Sequence, residues 1–170
     1  MTYKYLSDIK SFLEENVSPK IQLRGIVSGD DLSFEMVNPK ITVGWPTTYD
    51  TPADVADKIP GIVVGLSAPI VYTQDSAVIP VELVAIIYCP GTLAEGRLMY
   101  DKTGYWDVCN LMDLIVREVF AADKIGSMYL FDRNVQCSPD NEQNGDYWRG
   151  TVNFTVKAAG VPELRYRDLC

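Results

Sequence analysis

The chain contains no histidine. That single absence removes Ser-His-Asp and Cys-His nucleophilic sites, imidazole metal clusters and the commonest general acid-base group. Catalysis would have to rest on carboxylates, Lys, Tyr or Cys. Positive charge is also scarce: 15 Lys and Arg stand against 23 Asp and Glu, a formal net charge of −8. Such a balance works against gripping a phosphate backbone, which requires cations to neutralise phosphates. It remains compatible with a wall along which DNA slides without sticking. The cysteines Cys89, Cys109, Cys137 and Cys170 are widely spread with no C-x-x-C pair. Neither a zinc knuckle nor a thioredoxin-type site is indicated, and reduced, mostly buried thiols are expected. Long apolar runs are missing as well. The opening "TYKYLSDIKSFLEENV" is amphipathic and charged, unlike a secretory signal or a membrane span, so a chain kept in the cytoplasm and off the membrane is expected. Gly25, Gly29, Gly44, Gly61 and Gly65 match neither G-x-G-x-x-G nor the phosphate loop with its Lys, which leaves nucleotide binding without footing. No cofactor is expected.

What is present suits one folded domain spanning 1–170: 170 residues, 47% apolar and 22% charged. Tyr5, Leu6, Ile9, Phe12 and Leu13 recur at helical spacing from Tyr3 to Val17, with Thr2 as a candidate cap and Ser18-Pro19 as the stop. "KIQLRGIVSG" reads as a first strand, and "LSFEMVNPKITVGWP" as extended pieces broken at Pro39 and Pro46. Residues 47–60 read as a long surface loop with one helical turn at Ala53 to Lys58. "IVVGLS" and "VIPVELVAIIYC" are β-branched runs suited to mid-sheet strands. After the turn "PGTLAEG", a second helix opens near Asp101 or Thr103 and closes at "KIG", with Gly126 in the left-handed C-terminal position. "SMYLFDRNVQC" and "YWRGTVNFTVKAA" complete the sheet, and 161–170 is a C-terminal tail. The order predicts an α+β fold, a mainly antiparallel sheet carrying two principal helices on one side.

Candidate sites divide into chemistry and contact. Asp140, Glu142, Asn144 and Gly145 fall at calcium-loop positions, but the twelfth place is Thr151 rather than Glu, so a solvated turn is preferred and no metal is expected. Asp50, Asp54 and Asp57 are carboxylates without a visible partner. On the second helix Val108, Leu111, Met112, Ile115 and Val119 form the core stripe. Leu114 shares its wheel sector with Asp107, Asn110 and Glu118, which marks it as a candidate subunit contact. Trp45, Tyr49, Trp106, Tyr147 and Trp148 sit beside turns, where such aromatics either serve an interface or cap the ends of the core. Tyr105 and Trp106 at the helix mouth are expected to anchor the sheet-to-helix turn, with Gly104 permitting close approach.

Three segments carry a family resemblance. "NPKITVGWP", Asn38 to Pro46, and "IPGIVVGLS", Ile59 to Ser67, are two. The third, "DKTGYWDVCNLMDLIVREVFAADKIGSMYLF", contains Gly104, Tyr105, Asp107, Asn110, Leu111, Ile125 and Gly126. With "NEQNGDYWRGTVNFTV" they cover roughly Asn38 to Val156, and in this order the chain resembles the tail terminator, or tail completion, proteins of tailed bacteriophages. The family's Pro in the last turn is missing here. The resemblance implies a ring-forming subunit, commonly one of six, with no enzymatic chemistry. Its implied partners are further copies of itself, the tail tube protein, a sheath protein where one exists, and a neck or head-completion protein. DNA would pass through the lumen without specific binding. The implied place is the head-proximal end of a virion tail, assembled in the host cytoplasm. The alternatives are a neck ring, a carboxylate-based hydrolase and a cytosolic adaptor, with the 47–60 loop as partner-binding segment in either binding role.

Overall fold

Tyr5, Ile9 and Leu13, spaced by one helical turn each, are the buried stripe of helix α1 (Thr2–Asn16). The computed structural model describes residues 2–27, 30–44, 58–95, 97–99, 102–143 and 145–159. Thr2 lies inside the helix rather than capping it, with its hydroxyl 3.4 Å from the Tyr72 hydroxyl. A 3-10 turn, Ser18–Lys20, follows as the Ser-Pro stop requires. Then come strands β1 (Leu23–Val27), β2 (Asp30–Val37), β3 (Lys40–Val43), β4 (Gly61–Leu66), β5 (Val71–Tyr72), β6 (Ser76–Tyr88), β7 (Thr92–Ala94) and β8 (Arg97–Met99). Helix α2 (Thr103–Ala121), β9 (Met128–Pro139) and β10 (Tyr147–Ala159) complete the described chain.

The main sheet runs β3-β4-β6-β10-β9, with β5 also pairing β6. All its pairings are antiparallel except β3 with β4. A parallel pair cannot be closed by a tight turn, so the long connection from Val43 to Gly61 has a topological task. The fold is α+β, with mainly antiparallel sheet as the pattern predicts. β1 and β2 form a separate hairpin, and "PGTLAEG", expected as a turn, contributes β7 to a second hairpin with β8.

Both helices pack on one face of the main sheet. Ala77, Ile79, Val81, Leu83, Ala85 and Ile87 of β6 face the core together with Val152, Phe154, Val156 and Ala158 of β10. Residues from α1 and α2 belong to the same core. Full burial of each Ile, Leu or Val here contributes ~1.5–3 kcal/mol. The opposite face carries Arg149, Thr151, Asn153, Thr155 and Lys157 on β10, all half-buried. Asn38 and Ser18 lock the two corners beside α1. The Asn38 amide donates to the carbonyls of Ser18 and Ile21 at 2.7 and 2.9 Å, and the Ser18 hydroxyl donates to the Pro39 carbonyl at 2.8 Å.

α2 begins without a side-chain cap from Thr103, which lies within the helix, and Asp101 is outside the described residues. It ends at Ala121, earlier than expected. Gly126 does adopt a left-handed conformation, φ 59°, but in the turn where Ile125 and Met128 bond each other's backbone. The expected positions Trp45 and Tyr49, Asp50, Asp54 and Asp57, most of the 47–60 loop, Cys170 and the 161–170 tail lie outside the described residues.

Candidate functional site

The mouth of α2 is built from two glycine contacts that bring the helix down onto the sheet. A Cβ on Gly104 would lie 2.5 Å from both Cys89 Cβ and Trp148 Cδ1, closer than atoms pack. On β10, a Cβ on Gly150 would lie 2.6 Å from the sulfur of Met112. At Gly104 a hydrogen is needed for α2 to sit this close, as its motif suggested, whereas at Gly150 the flexible end of Met112 would have to move.

Around this contact the aromatics divide. Tyr105 packs edge-on against Trp148, with ring centroids 5.3 Å apart, and also against Trp106 at 5.7 Å. Tyr105 thus anchors the helix to β10, as expected. Trp106 does not share that role, because it is 61% exposed. Trp148 is half-buried, and its indole N–H is buried without a hydrogen-bond partner. Tyr147 is half-buried on the opposite sheet face, 5.9 Å from the ring of Tyr88.

Arg24 ties the β1–β2 hairpin to the same region. Its guanidinium is 3.7 Å from the Asp107 carboxylate, 3.9 Å from the Cys89 sulfur, and 5.4 Å above the Phe34 ring. Phe34 and Met36, alternate residues of β2, are each about half exposed. Arg24, over the Phe34 ring and paired with Asp107, ties their hairpin to the first turns of α2. Sequence reading missed this pair, although "FEM" in a strand with acidic neighbours shows the alternation that places two apolar groups on one face.

Leu114 requires correction. It is 8% exposed and part of the core, so it is not a surface contact. The wheel grouped it correctly with Asp107 and Glu118, but that flank of α2 is covered. Lys20 bonds Glu118 at 2.7 Å and Arg24 pairs with Asp107, so on this flank one ion pair stands a turn beyond Leu114 and another two turns before it. Lys20, and secondarily Arg117, holds the Glu118 carboxyl below its ordinary range against an opposing effect of desolvation. Asn110 is exposed.

The calcium-loop reading finds its first position occupied: Asp140 pairs with Arg149 at 3.4 Å in the β9–β10 connection. Glu142 is exposed, and Asn144 is outside the described residues. Among the described residues no three metal-ligating side chains gather. Of the thiols, Cys89 is buried and Cys109 half-buried, but Cys137 is exposed on β9, the sheet's edge strand, contrary to the expectation of mostly buried thiols. Burial, then Asp113, raises the Cys109 pKa and favours its neutral thiol. A cleft of about 150 Å³ opens where β9 bulges, lined by Ser67, Asp132, Asn134, Gln136, Asn153 and Thr155 among others. Asp132 and Arg133 both have positive φ there.

The region presents an exposed indole on α2 and a half-exposed Phe and Met on β2, with Arg24 joining the β1–β2 hairpin to α2. No helix among the described residues is long and apolar enough to cross a membrane. No protein-family model and no curated protein matches the chain.

Proposed function

We propose that this chain is a tail terminator subunit, which assembles as a ring of six on the head-proximal end of a phage tail tube. In that position it stops polymerisation of the tube, and of a sheath where one exists, and presents a docking surface to the neck. It is a virion protein with no catalytic role, and DNA passes through the lumen without being bound. The observation that carries this reading is Trp106, which lies in the motif most like the family's. The same first turn contains Gly104 and Tyr105 packed into the fold while its Trp stands 61% exposed. Exposed Trp beside a rigid anchor is the composition of a protein-contact centre. The acidic balance of the chain suits a lumen wall that repels DNA.

Negative-stain imaging of the purified protein, alone and mixed with its tail tubes, tests the reading. Sixfold rings and caps confined to one tube end are expected. Protein that ignores tube ends and binds the portal side of the head instead would replace this assignment with a neck ring.

A further inference from the structure

The sheet face opposite the helices carries a walled recess. Val135 of β9 lies opposite Phe154 of β10 and Leu130 opposite Val156, so four residues of β9 stand against the single Thr155. The surplus chain, Phe131 to Asn134, leaves the ladder. Lys157, between the core residues Val156 and Ala158, lies over the Phe131 ring at 5.7 Å, so the excursion rises on the outer face. At its tip Asp132 and Arg133 are successive non-glycine residues with φ of 60° and 46°, a conformation that side chains disfavour. Strain of this kind is concentrated at ligand sites.

The recess lies between this wall and Ser67, just past β4, with Thr155 and the register partners Asn153 and Gln136 along its floor. Its volume is about 150 Å³. One water needs ~10–15 Å³ on the same measure, so the recess holds roughly ten, which matches one sugar ring with its hydroxyls and falls short of a nucleotide.

The lining selects against charge. Asp132 is its one ionisable group, so a phosphate would meet a carboxylate with no cation among the lining residues. A metal ion would find that single carboxylate with Lys157 alongside. Around the recess Asp132 and Glu82, the register neighbour of Asn153, balance Arg133 and Lys157. A neutral ligand fits that balance. The hydroxyls of Ser67 and Thr155 and the amides of Asn134, Gln136 and Asn153 each donate and accept, as sugar hydroxyls do. Among the described residues, Asn153 Oδ1 is buried without a hydrogen-bond partner. Rotation of its amide offers that acceptor to a ligand hydroxyl, and pairing an orphaned buried acceptor is favourable. Phe131 adds an aromatic surface for the C–H face of the ring.

We infer that the recess is a binding site for one neutral sugar unit, oriented by Asp132, Asn134 and Asn153 and packed on Phe131. The site is separate from the region around Trp106 and does not depend on how the chain assembles.

Saturation-transfer difference NMR on the full chain tests it, with glucose, galactose, mannose and N-acetylglucosamine as probes, each titrated to about 50 mM. At least one should give a saturable signal, with a dissociation constant on the order of 1 mM. Asp132→Asn keeps a residue type that tolerates the left-handed region, and Asn134 is exposed. Asp132→Asn and Asn134→Ala should therefore melt with the parent while each weakens that sugar about 10-fold or more. Asn153→Val, suited to a strand, should abolish the signal. Trp106→Ala should bind like the parent. No saturable signal from any of the four sugars, or binding unchanged in both Asp132→Asn and Asn134→Ala, would overturn the inference. Displacement of the sugar by an equal concentration of inorganic phosphate or calcium chloride would overturn it too, since the ligand would then be an ion. None of these outcomes bears on the capping of tail tubes, so the terminator reading stands or falls separately.

Discussion

Two positions on α2, Trp106 and Leu114, reverse what their surroundings in sequence suggest. Trp106 is an aromatic in a turn that grips the sheet, and it stands in solvent. Leu114 is an apolar residue in a polar sector, and it is buried. Helical geometry locates side chains on the helix, but what covers each sector is decided by another part of the chain. Leu114 joins the core, and the ion pairs of Glu118 with Lys20 and of Asp107 with Arg24 stand on the same flank. For Trp106 the neighbouring ring Tyr105 takes the position against Trp148.

The largest test of this contrast is Leu114. Leu114→Ala should cost about 2–5 kcal/mol by urea denaturation, and Leu114→Asp more, because it buries a carboxylate without a partner. A loss under about 0.5 kcal/mol for Leu114→Ala would mean that the flank is open. Next is Gly104→Ala. Ala is the better helix former by about 1 kcal/mol, but overpacking against Cys89 and Trp148 costs about 1–3 kcal/mol, so a net loss of about 1 kcal/mol is expected. A rise in melting temperature would show that α2 does not approach β6 so closely.

A smaller effect concerns the ion pair that covers Leu114's flank. The folded-state pKa of Glu118 lies below its unfolded value, so its contribution is present above the unfolded carboxylate pKa and disappears as pH falls through the folded one. The stability gap between the parent and Lys20→Gln should therefore close on acidification through and below the ordinary carboxylate range. A gap independent of pH would remove the pair from this account. The smallest stability change belongs to Trp106→Ala, expected within about 0.5 kcal/mol of the parent, as for other exposed sites. A loss of 2 kcal/mol or more would show that the indole is packed.

Much of the fold was legible because its signals are local. The β-branched run "VIPVELVAIIYC", the helical spacing of Tyr5, Ile9 and Leu13, and the Ser-Pro stop survive as β6, α1 and the turn that ends α1. The candidate surface was legible only in part. Gly104 and Tyr105 act as expected, whereas Tyr147 and Trp148 pack half-buried within the domain. Exposed Phe34 and Met36 lie about seventy residues from Trp106 in sequence, and the Arg24 link from their hairpin to Asp107 is one that no periodicity reveals. Cys137 escaped for a similar reason, since nothing in its sequence reveals that β9 is the edge strand.

By itself the sequence determined the α+β class, the two helices and the main strand runs, and it withheld histidine-based chemistry, because composition and short-range hydrophobic period suffice for these. Tertiary structure alone decided that β4 lies parallel to β3, that Leu114 joins the core, and that Trp106 stands in solvent while Tyr105 packs on Trp148. Those outcomes depend on which distant segments share a sheet row or a helix flank, and that is set by long-range packing rather than by the residues nearby.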